Sequence, residues 1–429
     1  MLFCLAALSS GGQDNVAELS SHARDALLGG RYEEAIHLYE QMVKALPREP
    51  GVRLNLAVAL DAAGRHREAL TNLEQLRAAE AANPNFWFLL GIEYQKLQQP
   101  AKAVVPLERA ASMDPANAQF RLELADAYLA SGANSQAEAA FRKLSREQPD
   151  NAKALEGLAL SLLAMSRAAF DALEAIAPAS PFYRALRELA EADQGNAGKA
   201  LAPSESPAAR AFQQGEMQRV LSLTASSKQP EMLYWRARAC SQLTNEALGR
   251  LAALPPSAEV HELRARVLRQ ARRWQESAAE LREACRMSPR DSRLRGELAE
   301  GVWLSRNYDE AARILSELVK AGPEHARWQF QLGDSLFNLG RPEQALIHLR
   351  KAVDLSPSDL PMQAALGRLL LQMGDDQEAV SHLEKAAPLD KDGSIHYQLA
   401  TAYRNVGKAD LARRALARQQ ELQKAVELK

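Results

Sequence analysis

Small apolar residues return along this chain at a fixed interval. Ala35, Ala69, Ala103 and Ala137 stand 34 residues apart, and Ser277, Ala311, Ala345 and Ala379 repeat that spacing further on. The interval predicts a helix, a tight turn and a second helix. Gly30, Gly64 and Gly132 fall near the turn, where a left-handed backbone suits glycine, and Pro47, Pro115, Pro149, Pro289, Pro323 and Pro357 close their units by stopping the second helix. Such a unit cannot bury its apolar face alone and must stack on copies of itself. With the repeated alanine counted as position 20, one block reads as units 16–49, 50–83, 84–117 and 118–151, and another as 258–291, 292–325, 326–359, 360–393 and 394–425. Position 20 stays small for a steric reason: two helices come closest there, and a larger side chain would wedge them apart. The last unit is one residue short, with Ala412 in that role, and the polar stretch from Arg413 to Lys429 reads as a capping helix with a wet outer face.

Between the blocks the interval is lost. Residues 152–257 keep helix-like pieces separated by Pro178, Pro181, Pro203, Pro207, Pro230, Pro255 and Pro256, and read as three to five degenerate hairpins, either drifted repeats or a hinge. The expected organisation is a short leader or tail at 1–15, a first block at 16–151, the degenerate middle at 152–257 and a second block at 258–429.

The stretch from Pro84 to Pro115 carries Trp87, Leu90, Gly91, Tyr94, Ala103, Leu107, Ala110 and Pro115 at positions 4, 7, 8, 11, 20, 24, 27 and 32. In these residues the chain resembles the tetratricopeptide repeat family, with Leu107 in place of the usual Phe. The resemblance implies an all-α fold, a right-handed α-solenoid of about eleven to thirteen stacked helix-turn-helix hairpins. It also implies a concave groove lined by positions 2, 5, 9 and 12 of each first helix. In the first block those positions are mostly apolar, Phe88 and Ile92 among them; in the second they include Arg266, Arg269, Trp303, Arg327, Phe330, Phe337, Arg368 and Tyr397. Arg, Trp, Tyr and Phe carry much of the energy at protein interfaces, so this wall suits a protein or peptide segment with acidic and apolar side chains. The competing reading is that Arg266, Arg327 and Arg368 pair along the ladder with Glu262, Glu300 and Asp334 while the aromatics fill gaps between helices.

Composition narrows the function further. The 53 Lys and Arg nearly balance 54 Asp and Glu, for a formal net charge of −1, which argues against nucleic acid as partner. Cys4, Cys240 and Cys285 form no metal-ligand spacing and read as isolated, mostly buried thiols, the alternative being a Cys240–Cys285 disulfide. His348 and His382 share position 23 and read as a solvated face. No metal or cofactor is implied. Gly195 to Ala200 superficially resembles a phosphate-binding loop but lacks its first glycine and its final Ser or Thr, and no other catalytic signature occurs, so an enzyme is not expected. The carboxylate clamp of chaperone-binding members is also missing: its places hold Ser20, Arg24, Asn55, Asn85 and Leu89, of which Asn55 alone fits.

The apolar run Leu2–Leu8 and the small residues after it leave export or a plain tail on a cytoplasmic protein as open readings, since no basic residue precedes the run. No apolar stretch is long enough to be a transmembrane segment. The expected function is a non-enzymatic scaffold or adaptor that binds partner proteins or peptides in its groove. The alternative is an accessory subunit of an envelope assembly, glycosyl-transfer or polysaccharide-export machine.

Overall fold

The computed structural model describes residues 10–192 and 205–427. The run Leu2–Leu8 and the stretch Gly195–Ala200 lie outside them. Among the described residues the chain forms 23 α-helices and no strand. It divides into two compact units: one holds the described residues up to Ala169 with Ser206–Ser226 and Trp235–Arg250, the other the remaining described residues.

The first unit contains four regular hairpins, α1 (Ser10–Leu28) with α2 (Tyr32–Ala45), α3 (Pro50–Ala62) with α4 (His66–Glu74), α5 (Pro84–Lys96) with α6 (Pro100–Met113), and α7 (Ala118–Ala130) with α8 (Asn134–Glu147). After these come α9 (Ala152–Ile176), α10 (Pro181–Ala192), α11 (Pro207–Gln213), α12 (Met217–Thr224) and α13 (Pro230–Ala252). The second unit contains five more hairpins, α14 (Ala258–Gln270) with α15 (Trp274–Met287), α16 (Ser292–Leu304) with α17 (Tyr308–Ala321), α18 (Ala326–Asn338) with α19 (Pro342–Leu355), α20 (Leu360–Met373) with α21 (Asp376–Ala386), and α22 (Ser394–Asn405) with α23 (Ala409–Glu427).

The repeat interval has a physical cause at four places that recur along the hairpins. In several of them the residue before the first helix caps it: Asn83, Asn117, Asp291 and Asp359 accept hydrogen bonds from the first free backbone N–H groups of α5, α7, α16 and α20. Position 15 closes the first helix in the left-handed region, and it does so even where it is not glycine, at Gln98, Arg272 and Arg306 with φ of 58°, 60° and 62°. The next N–H reaches back to the helix, as in Gln99 N to Tyr94 O at 2.8 Å. Positions 8 and 20 meet across the hairpin: Ser277 at position 20 donates its buried hydroxyl to the carbonyl of Ala265 at position 8, 2.8 Å away. The alanines at position 20 are fully buried. Gly91, Gly333 and Gly367 at position 8 abut Leu107, Leu349 and Leu383, so closely that an added Cβ would sit within 2.5–2.7 Å of the leucine Cγ.

The core is a stripe of such contacts rather than a single centre. In the second unit it runs from Ala265 to Ala415 through Leu281, Leu315, Leu332, Leu349, Leu366, Leu383 and Leu399. In the first it passes through Tyr39, Leu60, Leu73, Phe86, Leu90 and Leu107.

In the middle the described residues form five helices, of which α9 and α13 are long, at 25 and 23 residues. Gly157 is the sole glycine or proline between Ala152 and Ile176, and it serves close approach, since a Cβ there would meet the Phe141 ring at 2.3 Å. Within the first unit α12 and α13 lie against α8, with Arg250 Nη2 donating to the Ser145 carbonyl at 2.6 Å and Gln218 Nε2 to Glu138 at 3.3 Å. Cys240 and Cys285 are free thiols, and burial pushes Cys240 up to about 12. No helix among the described residues is long and apolar enough to cross a membrane.

Candidate partner-binding face

First helices of successive hairpins touch through the side chains that the groove geometry singles out. In the second unit Arg293 of α16 reaches Glu262 of α14 through two hydrogen bonds of 2.7 and 2.8 Å, and Arg266 joins the same carboxylate at 3.3 Å. The Arg293 bonds, opposed by partial burial, hold Glu262 below the usual carboxylate range. One hairpin on, Arg327 of α18 donates to Glu300 of α16 at 2.7 Å. Further along, Asp334 of α18 is a shared acceptor. Its Oδ2 takes the Trp303 indole N–H at 2.9 Å and its Oδ1 takes Arg368 Nη2 of α20 at 2.8 Å.

The aromatics join this lattice. Trp303 meets Phe330 edge-on with centroids 5.8 Å apart, and the Arg368 guanidinium lies 4.8 Å above the Phe337 ring. Trp303, Phe330, Asp334, Phe337 and Arg368 thus form one cluster across α16, α18 and α20. Arg327 keeps 59% of its side chain exposed and Arg368 42%, whereas Asp334 is nearly buried. Tyr397, on α22, is 57% exposed. Arg269 is half-buried at the end of α14.

The arginines therefore form the pairs with Glu262, Glu300 and Asp334 that the competing sequence reading described, while Arg266, Arg327 and Tyr397 still present their outer surfaces to solvent. In the first unit Phe88 stacks on Phe120 at 4.8 Å and, like Ile92, is half-buried. That is a smaller, apolar patch on α5 and α7.

The histidines at position 23 are not on a solvated face. His348 Nδ1 lies 2.8 Å from Gln329 Oε1 and His382 Nδ1 2.6 Å from Gln363 Oε1. Each glutamine turns its Nε2 to a proline carbonyl six residues earlier, Pro323 at 2.8 Å and Pro357 at 2.7 Å. With the amide N–H donated there, the imidazole must supply the proton at Nδ1. Burial lowers the pKa of both rings. In the first unit a cleft of about 620 Å³ is lined by Arg142, Arg146, Arg219 and Arg250 among others, but Arg142 and Arg219 pair with Glu138 and Glu216, and Arg250 bonds Ser145.

Two family models, both described as tetratricopeptide repeat, match residues 26–91, 95–160 and 336–402 in one case and 245–292 and 298–359 in the other, together more than half of the chain. No curated protein matches. Among solved structures, the chain is similar to YrrB, described as a TPR protein with an unusual peptide-binding site, at 21% identity over 39% of this chain and 87% of that one, with a TM-score of 0.34. It is also similar to MamA from Desulfovibrio magneticus RS-1, at 18% identity over 40% of this chain and 98% of that one, with a TM-score of 0.36. The Cut9–Hcn1 structure of the APC/C matches at 16% identity over 97% of this chain and 88% of that one, with a TM-score of 0.36. No likeness at this level bears on a ligand. The repeated caps, turns, position 8 to position 20 contacts and matched segments make this chain a member of the tetratricopeptide repeat family, an all-α solenoid of the kind that serves as a protein-interaction scaffold.

Proposed function

We propose that the chain is a non-enzymatic adaptor that holds a protein or peptide segment on the face built by α14, α16, α18, α20 and α22, with Arg266, Arg269, Trp303, Arg327, Phe330, Phe337, Arg368 and Tyr397 as its contact residues. The observation that carries this reading is the continuity of that face: side chains of four successive first helices interlock, leaving guanidinium and aromatic surface turned outward. Arginine and aromatic groups bury large area and still offer donors, so the favoured ligand carries carboxylates and apolar side chains. Phe88 and Ile92 would provide a second, apolar contact.

The roles within the face are unequal. Arg368 neutralises the nearly buried Asp334, so reversing its charge would set two carboxylates together and disturb the fold as well as the ligand. Arg327 pairs at the surface, where such a pair contributes only ~0–1 kcal/mol, and it is the cleaner probe.

The test selects ligands for the full-length protein from a random peptide display library and measures them by fluorescence anisotropy. Acidic, apolar sequences should emerge, with affinity reduced about tenfold or more by Arg327→Glu and by Tyr397→Ala while circular dichroism is unchanged. Peptides that bind both variants as well as the parent would refute the assignment of this face.

A further inference from the structure

Three hairpin elements of the first unit bring together side chains that no spacing in the sequence connects. Asp61 closes α3, His66 opens α4 and Glu93 lies in α5, and one ligand atom from each falls within 4.8 Å of the others. His66 Nδ1 is 3.3 Å from Asp61 Oδ1 and 3.2 Å from Glu93 Oε2. Zinc bonded to nitrogen and oxygen at about 2.0–2.1 Å in a tetrahedron separates its ligand atoms by about 3.3–3.4 Å. The two edges at His66 come within about 0.2 Å of that length, and the third is no longer than 4.8 Å.

Glu93 is the anomalous member. It occupies position 10 of its unit, where the other interior hairpins carry Ala59, Ala127, Val267, Gly301, Ser335 and Leu369, all buried. Its side chain is fully buried and its Oε1 takes part in no hydrogen bond. A carboxylate at a buried position that elsewhere holds only uncharged residues carries a desolvation penalty that a bound cation would offset. A cation is already at hand: the Lys96 ammonium contacts Asp61 and lies 3.9 Å from Glu93 Oε1. With its side chain 39% exposed, Lys96 can swing out to water.

We propose that Asp61, His66 and Glu93 bind a divalent transition-metal ion, zinc by ligand type, which replaces the Lys96 ammonium and clips the second hairpin to the third. One imidazole and two carboxylates suit zinc, and a water completes the tetrahedron. The expectation from sequence was that no metal site exists, because the ligands come from three helices and only the odd residue at position 10 betrays them.

The test strips metal from the full-length protein and titrates it with zinc chloride in competition with a chromophoric chelator. One site per chain should appear, its affinity reduced at least about tenfold by Glu93→Ala and by His66→Gln. Glu93→Ala installs the residue that Ala59 and Ala127 hold in neighbouring hairpins, so it keeps the fold while removing a ligand. Lys96→Met, which leaves the three ligands and removes the competing ammonium, should tighten binding. Zinc should also raise the melting temperature of the parent and not of Glu93→Ala. The proposal is overturned if the parent binds no zinc, if Glu93→Ala binds with the parent's stoichiometry and affinity, or if Lys96→Met weakens the site.

Discussion

Replacing Asp334 should loosen the centre of the second unit by an amount that can be worked out from its two partners. Both are donors: the indole N–H of Trp303 at 2.9 Å and the guanidinium of Arg368 at 2.8 Å. Asp334→Ala removes a bond to a neutral donor, worth ~1 kcal/mol, and a bond to a charged one, worth ~1.5–3 kcal/mol. Arg368 is 42% exposed and can recover part of its loss in water, which brings the total to about 2 kcal/mol. Asp334→Asn is a sharper probe than it looks. Its amide offers one acceptor where two donors wait, so its NH₂ must face a donor and at least half of the loss should persist. A solenoid need not unfold in one step, so a single global transition is a poor readout. Native-state hydrogen exchange of amides in α16, α18 and α20 reports the local loss directly. About 2 kcal/mol corresponds to protection reduced roughly thirtyfold, since each 1.4 kcal/mol is tenfold. If both variants exchange like the parent, Asp334 does not hold these helices together and the shared-acceptor account is wrong.

Other consequences can be checked on the same protein. Gln98→Gly, Arg272→Gly and Arg306→Gly should each stabilise by about 0.5–1 kcal/mol in thermal unfolding, because they relieve a left-handed backbone that costs non-glycine residues about 1–2 kcal/mol while adding freedom to the unfolded chain. Gly91→Ala should destabilise by about 1–2 kcal/mol, its Cβ colliding with Leu107, whereas Gly249→Ala in α13, where nothing lies within 4 Å, should stabilise by about 0.5–1 kcal/mol; equal melting shifts would show that the contact is soft. Burial disfavours the charged rings of His348 and His382 and holds both below the usual imidazole value of about 6.5, so the fold binds fewer protons than the unfolded chain. Their stabilisation is complete above about pH 6.5 and is lost as the pH falls through the lowered folded values. Melting temperature should therefore decline on acidification from pH 7.5 to 5, and less steeply in the His348→Gln, His382→Gln double variant.

The hairpins were legible because their causes are local and recur. Alanine at position 20 marks a helix contact, proline at position 32 a helix end, and each can be read from one unit and checked in the next. The turn at position 15 was only partly legible, since Gln98, Arg272 and Arg306 adopt the backbone that glycine marks elsewhere. The middle was harder, because nothing in it recurs from unit to unit: α9 runs for 25 residues, and its Gly157 lies against the Phe141 ring, a contact with no counterpart to check it by. On the candidate face the residue types could be named from the sequence, but not which charges satisfy one another. That Asp334 accepts a hydrogen bond from Trp303 as well as from Arg368 depends on the stagger between hairpins, which no single unit encodes. The bonds of His348 and His382 to Gln329 and Gln363 could have been found, because both pairs are 19 residues apart and recur one unit later.

The pairing along the face also constrains what it could recognise. Arg266, Arg293, Arg327 and Arg368 each already bond a carboxylate of the protein, so an incoming acidic side chain would largely exchange one carboxylate partner for another. Exchange at a surface pair yields little net energy, because the pair it breaks and the pair it makes are alike and both are screened by salt. Affinity must then come from area buried on Tyr397, Trp303 and the faces of Phe330 and Phe337, with the arginines setting the register of the ligand. A ligand that binds in this way would lose more on replacing its apolar side chains than on replacing its carboxylates, and its affinity would depend only weakly on salt. The reverse pattern, steep salt dependence with indifference to apolar side chains, would mean that the arginines leave their internal partners, and the ladder would then be a set of latches that open on binding.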